Sequence, residues 1–223
     1  MRERGDFHCL HEPFLYYFYR HLARRNFPHF NADPDRPAQF EDILKLLRTE
    51  AQSRNVFAKD MAYYVIPEIL NHPGLAKEFN HVFLIRDPRK SIASYFRLDP
   101  DLLEEEVGLE AQWRLFRWIS ETTGREPQVL RAEDIQHDTQ GVVGTLWQNL
   151  GLSFVPSAFS WQAGSMPDDW VEVSNWHDST ASHSVIEKDR RDDAEIQAEF
   201  DAVAAEAPFL TRYLEHHWPY YLE

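Results

Sequence analysis

The sequence has a single cysteine, Cys9, which rules out an internal disulfide framework and fits a reducing, cytoplasmic setting. Basic residues are in deficit: 23 Lys and Arg stand against 37 Asp and Glu, a net charge of −14. That balance argues against nucleic acid as a partner, because neutralising phosphates requires clustered positive charge. There is no apolar run long enough to span a bilayer and no secretory signal pattern, so no membrane partner is expected. The aromatic stretch Phe14–Tyr19 is too short and too polar for a span and reads as core or pocket wall. Two nucleophile and phosphate motifs are also missing, the Gly-x-Ser-x-Gly elbow and the Gly-x-x-x-x-Gly-Lys-Ser/Thr loop. The pairs His8/His11, His177/His183 and His216/His217 lack Asp or Glu at ligand spacing, so no metal is assigned.

What is present is a chain of 223 residues with 43% hydrophobic and 14% aromatic content, enough for one sizeable core. No repeat or low-complexity linker divides it, so residues 1–223 are expected to form a single domain. Alternation over Asp6–Leu10 predicts a strand, and Tyr16–Arg25 a helix. A second helix opens at Pro37 and carries Phe40, Ile43, Leu44 and Leu47 at three- and four-residue spacing. Asn55–Lys59 and the fully apolar Val82–Ile85 are strands, the latter of the kind covered on both faces by helices. Asp87-Pro88 is a helix start, since Asp caps free amides and Pro suits the first helical position. Helices follow over about Leu103–Thr123 and Thr139–Leu150, with a strand at Gln128–Arg131 between them. After Ser153 a Trp-rich irregular region leads to a polar helix from about Asp189 to Ala205. Strands alternating with helices predict an α/β fold, a mostly parallel sheet flanked by helices.

In such a sheet, ligands bind beyond the carboxyl ends of the strands. His11/Glu12, Lys59 and Arg86 all fall at such ends. Arg86 precedes a capped helix whose amides favour an anion, and Ser94, two turns on, points its hydroxyl back towards that end. The alternative is an arginine–aspartate surface pair followed by an ordinary helix. Lys59 is placed to stabilise charge on a transferring sulfuryl or phosphoryl group, or else to pair with Asp60 or Glu12. Glu12 is a candidate general base and His11 its competitor, unless His11 simply bonds a backbone carbonyl.

The stretch HVFLIRDPRKSIASYF at residues 81–96, with Arg86 and Ser94 eight apart, resembles the 3′-phosphate-binding signature of sulfotransferases that use PAPS (3′-phosphoadenosine 5′-phosphosulfate). Residues 55–96, NVFAKDMAYYV through RDPRKSIASYF, resemble the lysine-to-arginine stretch of the Golgi-type members. GDFHCLHEPF, at residues 5–14, resembles the bacterial branch, and PQVLRAEDI and NLGLSF fit it as well. The resemblance implies a three-layer fold like that of P-loop nucleoside triphosphate hydrolases. It implies that Arg86 and Ser94 bind the 3′-phosphate of PAPS, that Lys59 lies near the sulfuryl group, and that Glu12 acts as base towards a hydroxyl or amine of a small-molecule acceptor. Trp176-His177 and the loop after it would approach the nucleotide or the acceptor, and aromatics such as Tyr16, Tyr17, Tyr63, Tyr64, Trp161 and Trp170 would line the acceptor pocket or fill the core.

The family also has a Pro-Arg-Ser-x-Ser-Thr loop, preceded by a strand, that cradles the 5′-phosphosulfate ahead of the segment matched by Gly5–Phe14. The sequence starts at Met1 and contains no such loop. An N-terminally truncated form is therefore expected, one with unpaired strand edges that holds the 3′-phosphate and has little catalytic capacity. Two other readings stay open. One is a non-catalytic remnant that binds a nucleotide or a partner; the other is a kinase-like phosphotransferase, which would need the phosphate loop and a magnesium ligand that the sequence does not show.

Overall fold

A computed structural model describes residues 1–28, 30–164, 167–177 and 182–223, without the side chains at 171, 174 and 175. The fold is mixed α/β and mostly helical, and among the described residues the strands form two two-stranded sheets, each pairing in parallel as the alternation predicted. Contacts divide the chain into two compact units, Met1–Glu68 with Phe154–Glu187, and Ile69–Ser153 with Lys188–Glu223.

In the first unit, β1 (Phe7–His11) pairs with β2 (Asn55–Lys59), Phe7 opposite Asn55 and His11 opposite Lys59. The crossover helix α1 (Phe40–Ala51) buries the predicted stripe of Phe40, Ile43, Leu44 and Leu47. It begins three residues later than Pro37 suggested, because Gln39 is still extended. The helix expected over Tyr16–Arg25 is shorter. It closes with a π-helical turn over Tyr17–His21, where the Leu22 amide reaches back five residues to the Tyr17 carbonyl. Ala23 then takes a left-handed φ of 48°, which ends it. Phe18, fully buried, packs its ring against Tyr63 and Tyr64 of α2 (Ala62–Ile69). Tyr16, Tyr17, Tyr63 and Tyr64 are thus core residues. The Trp-rich region is irregular as expected, with 3₁₀ turns at Pro156–Phe159 and Asp168–Trp176.

In the second unit, β3 (Val82–Ile85) pairs with β4 (Gln128–Arg131), Val82 opposite Gln128. Around them run α3 (Leu75–Glu78), α4 (Pro88–Leu98), α5 (Leu109–Thr123), α6 (Ala132–His137), α7 (Thr139–Asn149), α8 (Asp193–Glu206) and α9 (Phe209–Leu222). The helix predicted over Leu103–Thr123 is interrupted at Gly108, whose φ of 83° separates a 3₁₀ turn at Glu104–Val107 from α5. Helix α8 starts later than Asp189 because Asp192 takes the cap, accepting from the Glu195 amide while Glu195 accepts from the Asp192 amide. The core joins Ile92 and Ala93 of α4 to Phe200 and Val203 of α8 and to Leu210 and Tyr213 of α9. None of the described helices is long and apolar enough to cross a membrane.

Leu210 has no exposed surface and sits in that three-helix core. Leu210→Ala is expected to lower stability by about 2–5 kcal/mol. Chemical denaturation followed by circular dichroism checks this, as a lower midpoint at unchanged slope.

Candidate functional site

The strand register of the first unit builds a site at the carboxyl ends of β1 and β2. His11 lies opposite Lys59, and the next amide, that of Glu12, donates to the Lys59 carbonyl at 2.7 Å. Glu12 then adopts a left-handed φ of 46°, a conformation that costs a residue with a Cβ roughly 1–2 kcal/mol. The turn sends its buried carboxylate towards the Lys59 ammonium, which donates to Oε1, while the Tyr64 hydroxyl donates to Oε2 at 3.2 Å. Backbone strain at a candidate base is where a functional constraint would show.

Burial would raise the Glu12 carboxyl's pKa, but the charge of Lys59, with His11 and the Lys59 hydrogen bond, outweighs it and holds the carboxyl below the usual range. Asp60 behaves oppositely. Burial and the neighbouring Glu12 charge push its carboxyl well above the usual range, and its Oδ2 accepts from the Phe14 amide at 3.3 Å. Of the two pairings open to Lys59, the structure has Glu12.

His11 does not end on a backbone carbonyl. Its Nε2 lies 2.8 Å from Nε2 of His177 and 3.8 Å from Oε1 of Glu12, and its amide donates to Asp169 Oδ2 at 3.1 Å. Trp170 lies beside both imidazoles, its ring centroid 4.3 Å from that of His177 and 5.5 Å from that of His11. Burial drives the His11 imidazole down to about 4, against the pull of Glu12. Beside this cluster a cavity of about 320 Å³ is lined by Arg2, Cys9, Leu10, His11, Phe57 and Lys59, with Met1, Trp170 and His177 completing it. No local spacing ties Asp169, Trp170 and His177 to His11 some 160 positions earlier; only the fold brings them together.

In the second unit, Arg86 sits at the end of β3, just before α4. The arginine–aspartate pair does form there, but with another arginine. Asp87 caps α4 by accepting from the Arg89 amide at 2.9 Å, and its carboxylate is gripped by the Arg89 guanidinium. Arg89 also donates to Asp193 at 2.7 Å and lies over the Trp218 ring. Lys90 pairs with Glu133 and Asp189, and Arg191 with Asp189 and Glu199. Arg86, by contrast, makes no side-chain hydrogen bond or ion pair among the described residues. Burial lowers its pKa from the usual arginine value, partly offset by Glu133. Ser94 lies two turns into α4, exposed, on the side away from buried Ile92 and Ala93. Among the described residues no cluster of three His, Cys, Asp or Glu is arranged to hold a metal.

A family profile described as a sulfotransferase domain matches residues 1–211. The chain belongs to the sulfotransferase family. Curated relatives include two Arabidopsis thaliana proteins named branched-chain-amino-acid aminotransferase-like protein 2 and protein 1. They are 26% identical over 105 residues, or 47% of this chain, and 28% identical over 99 residues, or 44% of it. Each match spans only 18% of the relative's length. A solved structure titled "Sulfotransferase Domain from the Curacin Biosynthetic Pathway" superposes with a TM-score of 0.46 at 13% identity, covering 74% of this chain and 67% of that one.

The His11 imidazole of this sulfotransferase-family chain is lowered from 6.5 to about 4 in the folded state. The folded protein therefore resists a proton that the unfolded chain accepts. Its contribution to stability is complete above pH 6.5 and is lost as the pH falls towards about 4. His11→Asn is expected to flatten the fall in stability across that window, as read by denaturation midpoints at stepped pH.

Proposed function

We propose that this chain carries a sulfotransferase activity in which PAPS is the sulfuryl donor and a small molecule the acceptor. One observation carries the nucleotide half of this reading: Arg86 is partly buried at a strand's carboxyl end without a hydrogen-bonding partner among the described residues, while Arg89, Lys90 and Arg191 are all paired. A partly desolvated guanidinium whose donors are unused gains from an anion that accepts from them. The dipole of α4 favours negative charge at the same end. In this reading Arg86 grips the donor's 3′-phosphate and the exposed Ser94 hydroxyl adds a hydrogen bond.

Lys59 and Glu12 supply the other half. PAPS brings an activated sulfuryl group; the chain has to stabilise charge on it and take up the acceptor's proton. Lys59, nearly half exposed, is free to swing from Glu12 towards an incoming sulfonate. That departure removes the charge that holds Glu12 acidic, so the carboxylate becomes a stronger base as the donor arrives. The strained backbone at Glu12 fixes the carboxylate while the lysine moves.

The test is a thermal-shift titration with PAP (3′-phosphoadenosine 5′-phosphate), the desulfated donor. PAP is expected to raise the melting temperature of the parent chain, Arg86→Ala to abolish the rise, and Ser94→Ala to reduce it. An equal shift in Arg86→Ala, or no shift in the parent, contradicts the nucleotide site.

A further inference from the structure

The last turn of α9 is a weak piece of helix held from outside. Pro219 lies inside the helix and has no amide to donate, so the turn lacks one of its own hydrogen bonds. Three side chains tie it down instead. Trp218 and Tyr221, three residues apart and therefore on one face, have ring centroids 5.8 Å apart. The Arg89 guanidinium lies over the Trp218 ring, its Cζ 5.1 Å from the centroid. Arg131 lies over the Tyr221 ring at 4.9 Å and donates to its hydroxyl. These two arginines bracket Arg86. Arg131 pairs in register with Ile85, just before it, and Arg89 grips Asp87, just after it.

The third tie is His217, buried near the start of α5. The cap residue of α5 is Gly108, which has no side chain to accept from the first free amides. The Glu110 amide donates instead to His217 Nδ1 at 3.4 Å, and His217 Nε2 lies 2.8 Å from the Glu104 carbonyl oxygen. A carbonyl only accepts, so Nε2 carries the proton and Nδ1 is bare. An imidazolium would turn a second N–H against the Glu110 amide. Burial favours the same neutral form, against the Glu104 carbonyl. Facing the ring are Glu104 of the 3₁₀ turn, Glu110 of α5, and His216 and Tyr220 of α9; Arg212 and Arg114 pair with the two glutamates. Helices α4 and α8 meet α9 through the buried core at Leu210 and Tyr213, and α4 also through Arg89.

We propose that Trp218 and Tyr221 are positioning residues for the donor's 3′-phosphate site, and that neutral His217 fixes the helix turn that carries them. This rests on the nucleotide reading of Arg86. The backbone of Arg86 is steadied on both sides by residues that lean on α9, so its guanidinium meets the phosphate with less left to be ordered. Protonating His217 breaks the Glu110 bond, frees the turn and loosens Arg89 and Arg131. Because burial holds the imidazole below its usual 6.5, the tie is intact above that pH and is lost on its acid side. Donor affinity falls with it.

PAP binding to the full chain is measured by calorimetry between about pH 8 and about pH 5, a range that spans histidine titration. The parent is compared with Trp218→Ala, Trp218→Phe and His217→Gln, with folding checked by circular dichroism. Trp218→Ala is expected to weaken PAP about 10-fold at the alkaline end, and Trp218→Phe, which keeps a ring face, to recover most of the loss. The phosphate's own second ionisation, at about pH 6, weakens binding in every variant alike, so the parent is read against His217→Gln, which stays neutral. The parent is expected to lose about 10-fold more affinity than His217→Gln on acidification. Parallel pH profiles, or full affinity in Trp218→Ala, overturn the proposal. Should Trp218→Ala fail to fold, the pH comparison decides alone. No binding by the parent contradicts the nucleotide reading, and hydrogen exchange of the unliganded chain then decides the positioning role separately. Trp218→Ala is expected to lower protection of the Arg89 amide, which donates to Asp87 at 2.9 Å, by about 10-fold while the β3 amides keep theirs. Unchanged protection at Arg89 overturns that role.

Discussion

Everything distinctive about the first unit follows from a buried carboxylate meeting an ammonium at the ends of two parallel strands. The register that sets His11 opposite Lys59 also lets the Glu12 amide bond the Lys59 carbonyl, so backbone and side chain tie the same two residues together. A carboxylate buried to this degree cannot stand alone, and removing either partner of such a pair leaves an uncompensated charge. The left-handed turn at Glu12 is the strain that this placement costs. Tyr64, reaching Oε2 from the aromatic core, links the pair to the packing of the unit.

The second unit presents the converse arrangement. Its cations are absorbed by a dense network, with Asp87 and Asp193 on Arg89, Glu133 and Asp189 on Lys90, and Asp189 and Glu199 on Arg191. These pairs fasten α4 to the start of α8 and to the segment preceding it. Arg86 stands at the point where β3 hands over to α4 and takes no part in the hydrogen bonding, among the described residues. Glu133, Asp189 and Glu199 act on Arg86 through space without bonding it, so its guanidinium donors remain available to an anion.

Much of this was legible in the sequence because it is local. The strands Asn55–Lys59, Val82–Ile85 and Gln128–Arg131 have the predicted bounds, since short apolar runs punctuated by charge leave little alternative. Asp87-Pro88 announced α4 for the same reason: a cap and its first-turn proline need only each other. Boundaries set by geometry were harder to read. Gly108 looks like an ordinary helical glycine until its φ of 83° breaks the helix, and the π-helical turn at Tyr17–His21 leaves no spacing signature. The site divides in the same way. Glu12, Lys59, Arg86 and Ser94 were singled out from strand ends and motif spacing. Whether Lys59 pairs with Asp60 or Glu12, and whether Asp87 belongs to Arg86 or Arg89, depended on side-chain directions that sequence spacing does not contain. Asp169, Trp170 and His177 come from a region with no period at all, and only the fold places them beside His11.

The central claim is that Lys59 and Glu12 act as one unit, the lysine leaving the carboxylate for the donor as the carboxylate becomes the base. A double-mutant cycle on kcat, with Lys59→Met, Glu12→Gln and the double variant transferring sulfuryl from PAPS, tests it most directly. Groups that act as a unit are strongly non-additive, so the double variant is predicted to lose little more than the worse single variant. Losses that simply multiply, or single variants as active as the parent, would contradict the account.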